Sequence, residues 1–302
     1  MKPWIRWLVV LLLSVAILVA GMAGFGLWRG QAKRERVLAL PAYPVAMRED
    51  AASLERGRYL YMSRGCSDCH GANGAGRIFI ENAKMGLRVG GPNISPGPGS
   101  VVVNYRAEDW ERTLRHGVKP TGHALMVMPS EDYNRLTDDD VAAVVAYVRH
   151  LPSVRGGKAV LDLPPLLMVM YGFGMMQDAA EKIDHKLPPS QPVAEAVTVA
   201  HGRYVSQMCL GCHGANLSGG KIPGAPPDWP AAANLTPGQG SAMPAYADAR
   251  AFQAMLRTGK RPDGSVVSKV MPFEALGALN DVDAQALYLY LKSVPARDAG
   301  GR

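Results

Sequence analysis

From Trp7 to Trp28 the chain reads WLVVLLLSVAILVAGMAGFGLW, 22 residues without a charge. As an α-helix at about 1.5 Å per residue, this run reaches roughly 33 Å, the hydrocarbon thickness of a bilayer. Trp4, Trp7 and Trp28 stand at its two ends, where amphipathic rings favour a membrane interface. A cleaved leader is the competing reading. The run exceeds the ~7–15 apolar residues of a secretory signal core, and no clear A-x-A site follows it, so the pattern predicts a retained anchor over residues 1–30. Lys2 and Arg6 precede the span while Arg29, Lys33, Arg34 and Arg36 follow it. Counting basic residues alone therefore puts the C-terminal side in the cytoplasm.

Downstream, apolar positions recur at helical spacing in short blocks. Val141, Val144, Val145 and Val148 make an i, i+3, i+4, i+7 stripe behind Thr137 and three aspartates, and Pro152 closes the segment. The acids sit where a helix N-terminus favours negative charge. Leu287, Tyr290, Leu291 and Val294 repeat the stripe behind Asn280. A middle helix over Ala107–His116 stops at Gly117, and its counterpart stops at Gly259. A GRY segment opens a helix at Gly57 and again at Gly202. No run alternates convincingly as a strand, so the expected fold class is all-α.

The recurrence is a duplication. A shift of 143 residues carries Cys66, Cys69 and His70 onto Cys209, Cys212 and His213, Met128-Pro129 onto Met271-Pro272, and Asp138 onto Asp281. With small slips, PNISPG answers ANLTPG and LRHG answers LRTG. The expected organisation is an anchor (1–30), a unit over 50–153, a connector over 154–195 and a second unit over 196–296. Within the connector, LPPLLMVMYGFGMM (Leu163–Met176) is apolar yet too short to span a bilayer. It reads either as packing between the units or as a dock for a partner or membrane surface. KLPPSQP (Lys186–Pro192) reads as a stiff spacer.

The four cysteines lie in CSDCH (Cys66–His70) and CLGCH (Cys209–His213). Three chemistries use C-x-x-C. A zinc site shared by the two pairs leaves both adjacent histidines unexplained. A thioredoxin-like pair wants a βαβ setting, for which no pattern exists. Haem attachment uses every residue: the two thiols add to the porphyrin vinyl groups and the histidine supplies a proximal nitrogen to iron. Met128 and Met271 each lie 58 residues after the motif histidine, each followed by Pro. A thioether at the sixth position favours Fe(II) and closes the iron to oxygen or peroxide. Met126 and Met243 are the nearest rivals, whereas Met168, Met170, Met175, Met176 and Met255 read as core filler. His116, His123, His150, His185 and His201 recur in neither copy and read as structural.

The net charge of +7 is modest, and haem propionates would cancel much of it, which weighs against nucleic-acid binding. Arg112, Arg115, Lys119, Lys260 and Arg261 could steer an acidic partner, against the default of solvated charge. Aromatic residues make up only 7% of the chain, and a cofactor could supply part of the missing core.

The stretches GRYLYMSRGCSDCHGANGAG, GPNISPGPGS and DWERTLRHGVKPTGHALMVMPSEDYNRLTDDDVAAVVAYVRHLPSV resemble class I c-type cytochrome domains, in particular those of the cytochrome c subunits of bacterial membrane-bound dehydrogenases of the alcohol and gluconate type. The resemblance covers most of 50–153 and, less closely, 196–296. It implies two tandem class I domains behind one transmembrane helix, two covalently bound haem c groups, His/Met iron, and no catalytic activity in the chain alone. It also implies a bacterial inner-membrane location with the haem domains in the periplasm, passing electrons from a dehydrogenase partner toward the respiratory chain. The haem chemistry outweighs the basic-residue count for orientation. The family's common form has three haem motifs and this chain has two. An electron-entry subunit of a terminal oxidase and a di-haem peroxidase are the alternatives; the repeated Met-Pro context argues against the latter.

Overall fold

The computed structural model of the protein describes residues 2–41, 43–226 and 228–302. The chain runs α1 (Pro3–Glu35), α2 (Ala51–Ser63), α3 (Cys66–His70), β1 (Arg77–Asn82), β2 (Leu87–Gly91), α4 (Ala107–His116), α5 (Ser130–Tyr133), α6 (Asp138–Arg149), β3 (Val160–Asp162) and α7 (Pro165–Gly172). It continues through α8 (Val199–Val205), α9 (Leu210–His213), α10 (Ala249–Thr258), α11 (Phe273–Gly277) and α12 (Asp281–Ser293).

Helix ends follow local chemistry. Thr137 caps α6 by accepting from the Asp140 amide at 3.1 Å, and Asn280 caps α12 by accepting from the Asp283 amide at 2.8 Å. Gly117 and Gly259 end α4 and α10 in the left-handed region, at φ +63° and +68°. The first unit's core gathers Leu60, Tyr61, Trp110, Val141 and Val145, and the second's gathers Val205, Phe252, Leu256, Leu287 and Leu291.

The two units repeat one close crossing. A Cβ at Gly57 would lie 1.9 Å from the Ala143 carbonyl oxygen, and one at Gly202 would lie 1.9 Å from that of Ala286. Backbone meets backbone there, so α2 against α6 and α8 against α12 tolerate only glycine. Gly57→Ala is expected to lower stability by about 1–3 kcal/mol, the range for overpacking a closed core. Thermal unfolding followed by far-ultraviolet circular dichroism would check it; an unchanged midpoint would contradict the crossing.

The all-α expectation needs correction. β1, β2 and β3 form an antiparallel three-stranded sheet in that order. The hairpin turn is held by Asn82, whose Oδ1 accepts from the Met85 amide at 3.2 Å, and by Gly86 at φ +65°. A register shift between Ile78 and Ile80 breaks the alternation that would have announced β1. β3 is three residues long and comes from the connector, too short to read as a strand.

α1 is the one helix among the described residues long and apolar enough to cross a membrane, as an anchor or a signal sequence, and none of its most apolar window is buried by the rest of the chain. It runs to Glu35, past the uncharged stretch. Its last turns pack on α7 through glycines: a Cβ at Gly30 would lie 2.4 Å from the Met168 oxygen, and one at Gly172 would lie 2.1 Å from the Gly26 oxygen. The apolar connector therefore packs on the N-terminal helix rather than filling a seam between units. Lys33 pairs with Glu181 at 2.8 Å, and Arg36 pairs with the fully buried Asp178 at 2.7 Å. Two of the four cations that follow the span are thereby held by carboxylates of the connector, which weakens the basic-residue count for orientation.

The units face each other through a reciprocal pair of contacts. Tyr59 of the first donates to Asp283 Oδ2 at 2.6 Å, and Tyr204 of the second donates to Asp140 Oδ2 at 2.6 Å. Each tyrosine oxygen also accepts a helix-cap amide of the other unit, Asn280 N at 3.3 Å and Thr137 N at 3.2 Å. The arrangement is an approximate two-fold.

Candidate haem centre

The CSDCH motif is helix α3 itself, entered through Gly65 at φ +79° and left through Gly71 at φ +74°. This short helix places Cys66 and Cys69 one turn apart, with His70 as its last residue. β2 presses on this turn from one side: a Cβ at Gly91 would lie 2.2 Å from the Cys69 carbonyl oxygen. Cys66 and Met128 pack on the same core cluster. In the second unit CLGCH closes into α9, left through Gly214 at φ +79°, and Cys209 and Met271 share the second core.

Each histidine is oriented by a backbone carbonyl. His70 Nδ1 lies 2.9 Å from Pro92 O and His213 Nδ1 lies 2.8 Å from Ala233 O. A carbonyl only accepts, so Nδ1 carries the proton and Nε2 is left with a free lone pair. Burial lowers both imidazole pKa values, opposed by that carbonyl bond, which keeps the rings neutral and fit to ligate.

The carbonyls are themselves fixed by the next residue. Asn93, fully buried, donates to Pro98 O and Val154 O at 3.1 Å each and accepts from the Ser95 amide and hydroxyl. Asn234 repeats this with Gln239 O at 3.1 Å, Arg297 O at 2.7 Å and Thr236. The sequence resemblance between PNISPG and ANLTPG is thus one hydrogen-bonded loop built twice, and its task is to aim an imidazole. Sequence reading matched the two loops without assigning them this role.

The thiols are neutral. Burial raises Cys66 to about 12 and Cys69 to about 11, and Cys209 likewise to about 12. No two of the four cysteines are joined. A redox C-x-x-C pair needs a depressed thiol pKa, the opposite of what this setting provides. Among the described residues no three of His, Cys, Asp and Glu converge on a metal-ion site, so the two C-x-x-C pairs do not form one tetrahedral set. Two thiols one turn apart, half-buried except for the exposed Cys212, a neutral histidine with Nε2 free and a thioether on the same core fit a covalently held haem.

Met126 is absent from the residues packed with Cys66 on the first core, whereas Met243, 1% exposed, lies in the same second core as Cys209 and Met271. His116 pairs with His185 at 2.9 Å and with Glu111, His150 Nδ1 bonds Ala146 O, and His201 Nε2 lies 2.6 Å from Asp283 Oδ1. Of the candidate steering cations, Arg112 bonds Asp109 and Arg115 bonds Leu136 O and Asp138, so these two are committed within the fold.

Each motif is covered by the segment that follows the other unit's Met-Pro. Asp132 in α5 accepts from the Gly211 amide of CLGCH at 3.0 Å, and Glu274 in α11 pairs with Arg77 at 3.2 Å beside CSDCH. Asp68 lies under this second contact. Burial, with the Glu274 charge adding, raises it to about 6, and Arg77 opposes weakly. A carboxyl that binds its proton more tightly when folded adds stability below its ordinary pKa of 3.8 and loses it as pH rises to about 6. Asp68→Asn is therefore expected to raise the melting temperature at pH 7–8 and leave it nearly unchanged at pH 4. Equal gains at both pH values would show that Asp68 is ionised throughout.

Comparison with known proteins agrees with this geometry. Residues 54–152 match the Cytochrome c family. The chain is 30% identical over 291 residues to the fructose dehydrogenase cytochrome subunit of Gluconobacter japonicus, covering 88% of this chain and 57% of that one. It is 28% identical over 287 residues to the gluconate 2-dehydrogenase cytochrome c subunit of Pantoea cypripedii, covering 84% and 63%. Against the cytochrome c subunit of the quinone alcohol dehydrogenase of Gluconobacter oxydans it is 28% identical over 177 residues, covering 54% and 35%. Residues 54–152 are a cytochrome c domain, a class that holds haem c covalently. Over most of its length the chain resembles the cytochrome c subunits of dehydrogenases, and it spans about three fifths of the length of the first two of these relatives.

Proposed function

We propose that the protein is a membrane-anchored di-haem c-type cytochrome that relays single electrons from a dehydrogenase partner toward the respiratory chain on the periplasmic face of a bacterial inner membrane. The observation that carries the second haem is the repeated aiming of His213 by Ala233 O, held by Asn234, in the pattern of His70, Pro92 and Asn93. In this reading Cys66, Cys69, His70 and Met128 hold one group, and Cys209, Cys212, His213 and Met271 hold the other, within domains 50–153 and 196–296. The haem supplies a one-electron Fe(III)/Fe(II) couple. The chain's residues keep the ligand set constant between the two oxidation states. Asn93 and Asn234 lock the carbonyls, the carbonyls lock the rings, and the Met-Pro segments are pinned on the opposite motif. Fixed ligands in a buried setting keep reorganisation on electron transfer small, and burial and axial-ligand identity set the potential.

The dehydrogenase partner rests on the names of the relatives, and the periplasmic side on where haem is attached. The direct test is the haem count on full-length protein after denaturation in acid acetone. Two haems retained per chain, falling to one in Cys209→Ala/Cys212→Ala, support the proposal. A wild-type count of one, unchanged in that variant, would overturn the second centre.

A further inference from the structure

We propose that α7 lies in the membrane interface, roughly parallel to the bilayer plane, and seats the haem units against the lipid; this rests on the reading of α1 as a retained anchor. The crossing geometry is the first support. Val169 on α7 and Phe173, one turn on at the helix C-cap, both meet the position of Gly26, with approaches of 2.8 Å to a Cβ built there. Met168 and Gly172, also one turn apart, both meet Gly30. A full turn along α1, from Gly26 to Gly30, moves the contact by only one residue, from 169 and 173 to 168 and 172, whereas helices lying side by side would move it by a turn, so α7 crosses α1 steeply. If α1 stands across a bilayer, α7 lies near its plane.

Depth follows from position. Gly26 is two residues inside the Trp28 end of the uncharged run, so α7 is fixed at the border of the hydrocarbon. Its chemistry suits that level. Leu163–Met176 carries no charge, and Leu166, Phe173 and Met175 are 64%, 37% and 55% exposed. Phe25 bridges the two helices, its ring 6.2 Å from Phe173 and 5.7 Å from Trp28. Of the cations that follow Trp28, Lys33 and Arg36 are paired with Glu181 and Asp178, and Arg29 and Arg34 carry the charge next to this layer. Apolar side chains left open to water on a helix clamped to a membrane span find their burial in the headgroup–acyl boundary of the same bilayer. The clamp makes the seat rigid, since the glycine contacts leave no room for the helices to slide.

The test uses full-length haem-loaded protein in vesicles of phosphatidylcholine and phosphatidylglycerol. With the native cysteines tied up in thioether bonds, Leu166→Cys, Met175→Cys, Leu18→Cys and Val103→Cys each carry one thiol for a nitroxide label. Collision with oxygen, which partitions into lipid, is compared with collision with a water-soluble nickel chelate. Labels at 166, 175 and 18 are expected to favour oxygen several-fold over the label at 103. Labels at 166 and 175 that behave like 103 while 18 stays lipid-like would overturn the seat and leave the anchor standing. All four behaving alike would overturn the anchor reading with it. Protection from both reagents, alone or only once a dehydrogenase subunit is added, would assign α7 to a protein contact and overturn the lipid seat.

Discussion

Met128→His is expected to lower one haem potential by about 0.2 V, a fraction of the roughly 0.8 V over which axial ligands move such couples. A thioether is soft and stabilises Fe(II), whereas a second imidazole donates more strongly and stabilises Fe(III). The direction is therefore downward. Met128 packs on the same core as Cys66, and the segment after it is pinned on the second motif through Asp132, so the backbone there has little freedom to present another ligand. Spectroelectrochemical titration of the full chain should show one wave displaced and the other in place. Met271→His should displace the other. Both waves unmoved in Met128→His would remove Met128 from the ligand set, and Met126→His would then be the next variant to titrate.

Arg64→Ala is expected to destabilise the protein by about 3–5 kcal/mol at neutral pH, the cost of stripping one partner from a buried ion pair. Arg64 donates to Asp283 Oδ2 at 2.7 Å with both side chains enclosed, 4% and 0% exposed. Burial alone would raise Asp283, but the Arg64 charge and the hydrogen bonds from Tyr59, Arg64 and His201 outweigh it and hold it below the ordinary 3.8. A depressed carboxylate contributes stability that is fully present above its ordinary pKa and is lost as pH falls through the folded value. In wild type the contact between units thus weakens only in strong acid. Without Arg64, burial dominates, the Asp283 pKa rises, and the sign reverses: the penalty is largest at pH 7 and shrinks once the acid is protonated. Urea denaturation at pH 7 and pH 4 separates the cases, and a penalty equal at both would mean that Asp283 finds another cation.

The helices were legible where their signals are local. Thr137, Asn280, Gly117 and Gly259 act on amides and carbonyls within a few residues, so spacing alone located those ends. The sheet was not, because a bulge breaks the alternation of β1, β2 ends in two glycines, and the short β3 joins from the connector, remote in sequence from its partner. For the site, the cysteines and histidines were legible as a repeated motif. The carbonyls that aim the imidazoles were not, since Pro92 and Ala233 lie 22 and 20 residues from their histidines and act through backbone atoms that carry no residue signature. Tyr59 and Tyr204 were visible in the recurring GRY segments, whereas Asp140 and Asp283, which fall on each other at the same 143-residue shift, were not singled out. Polar residues repeated at buried positions were the available sign of a contact between the units, but neither pair meets within its own copy.

That reciprocal contact has the form of an isologous dimer interface drawn into a single polypeptide. In a homodimer any change at such a surface strikes twice, so a buried charge introduced on one side must be answered on both. Joined in one chain, each half can be altered singly. Arg64 has Gln207 at the matching place before the second motif, His201 stands where the first unit has Arg56, and the hairpin after CSDCH has a loop as its counterpart after CLGCH. A duplicated unit held in one chain thus leaves each half free to differ in its surroundings while their mutual grip, two tyrosines on two aspartates, stays common to both.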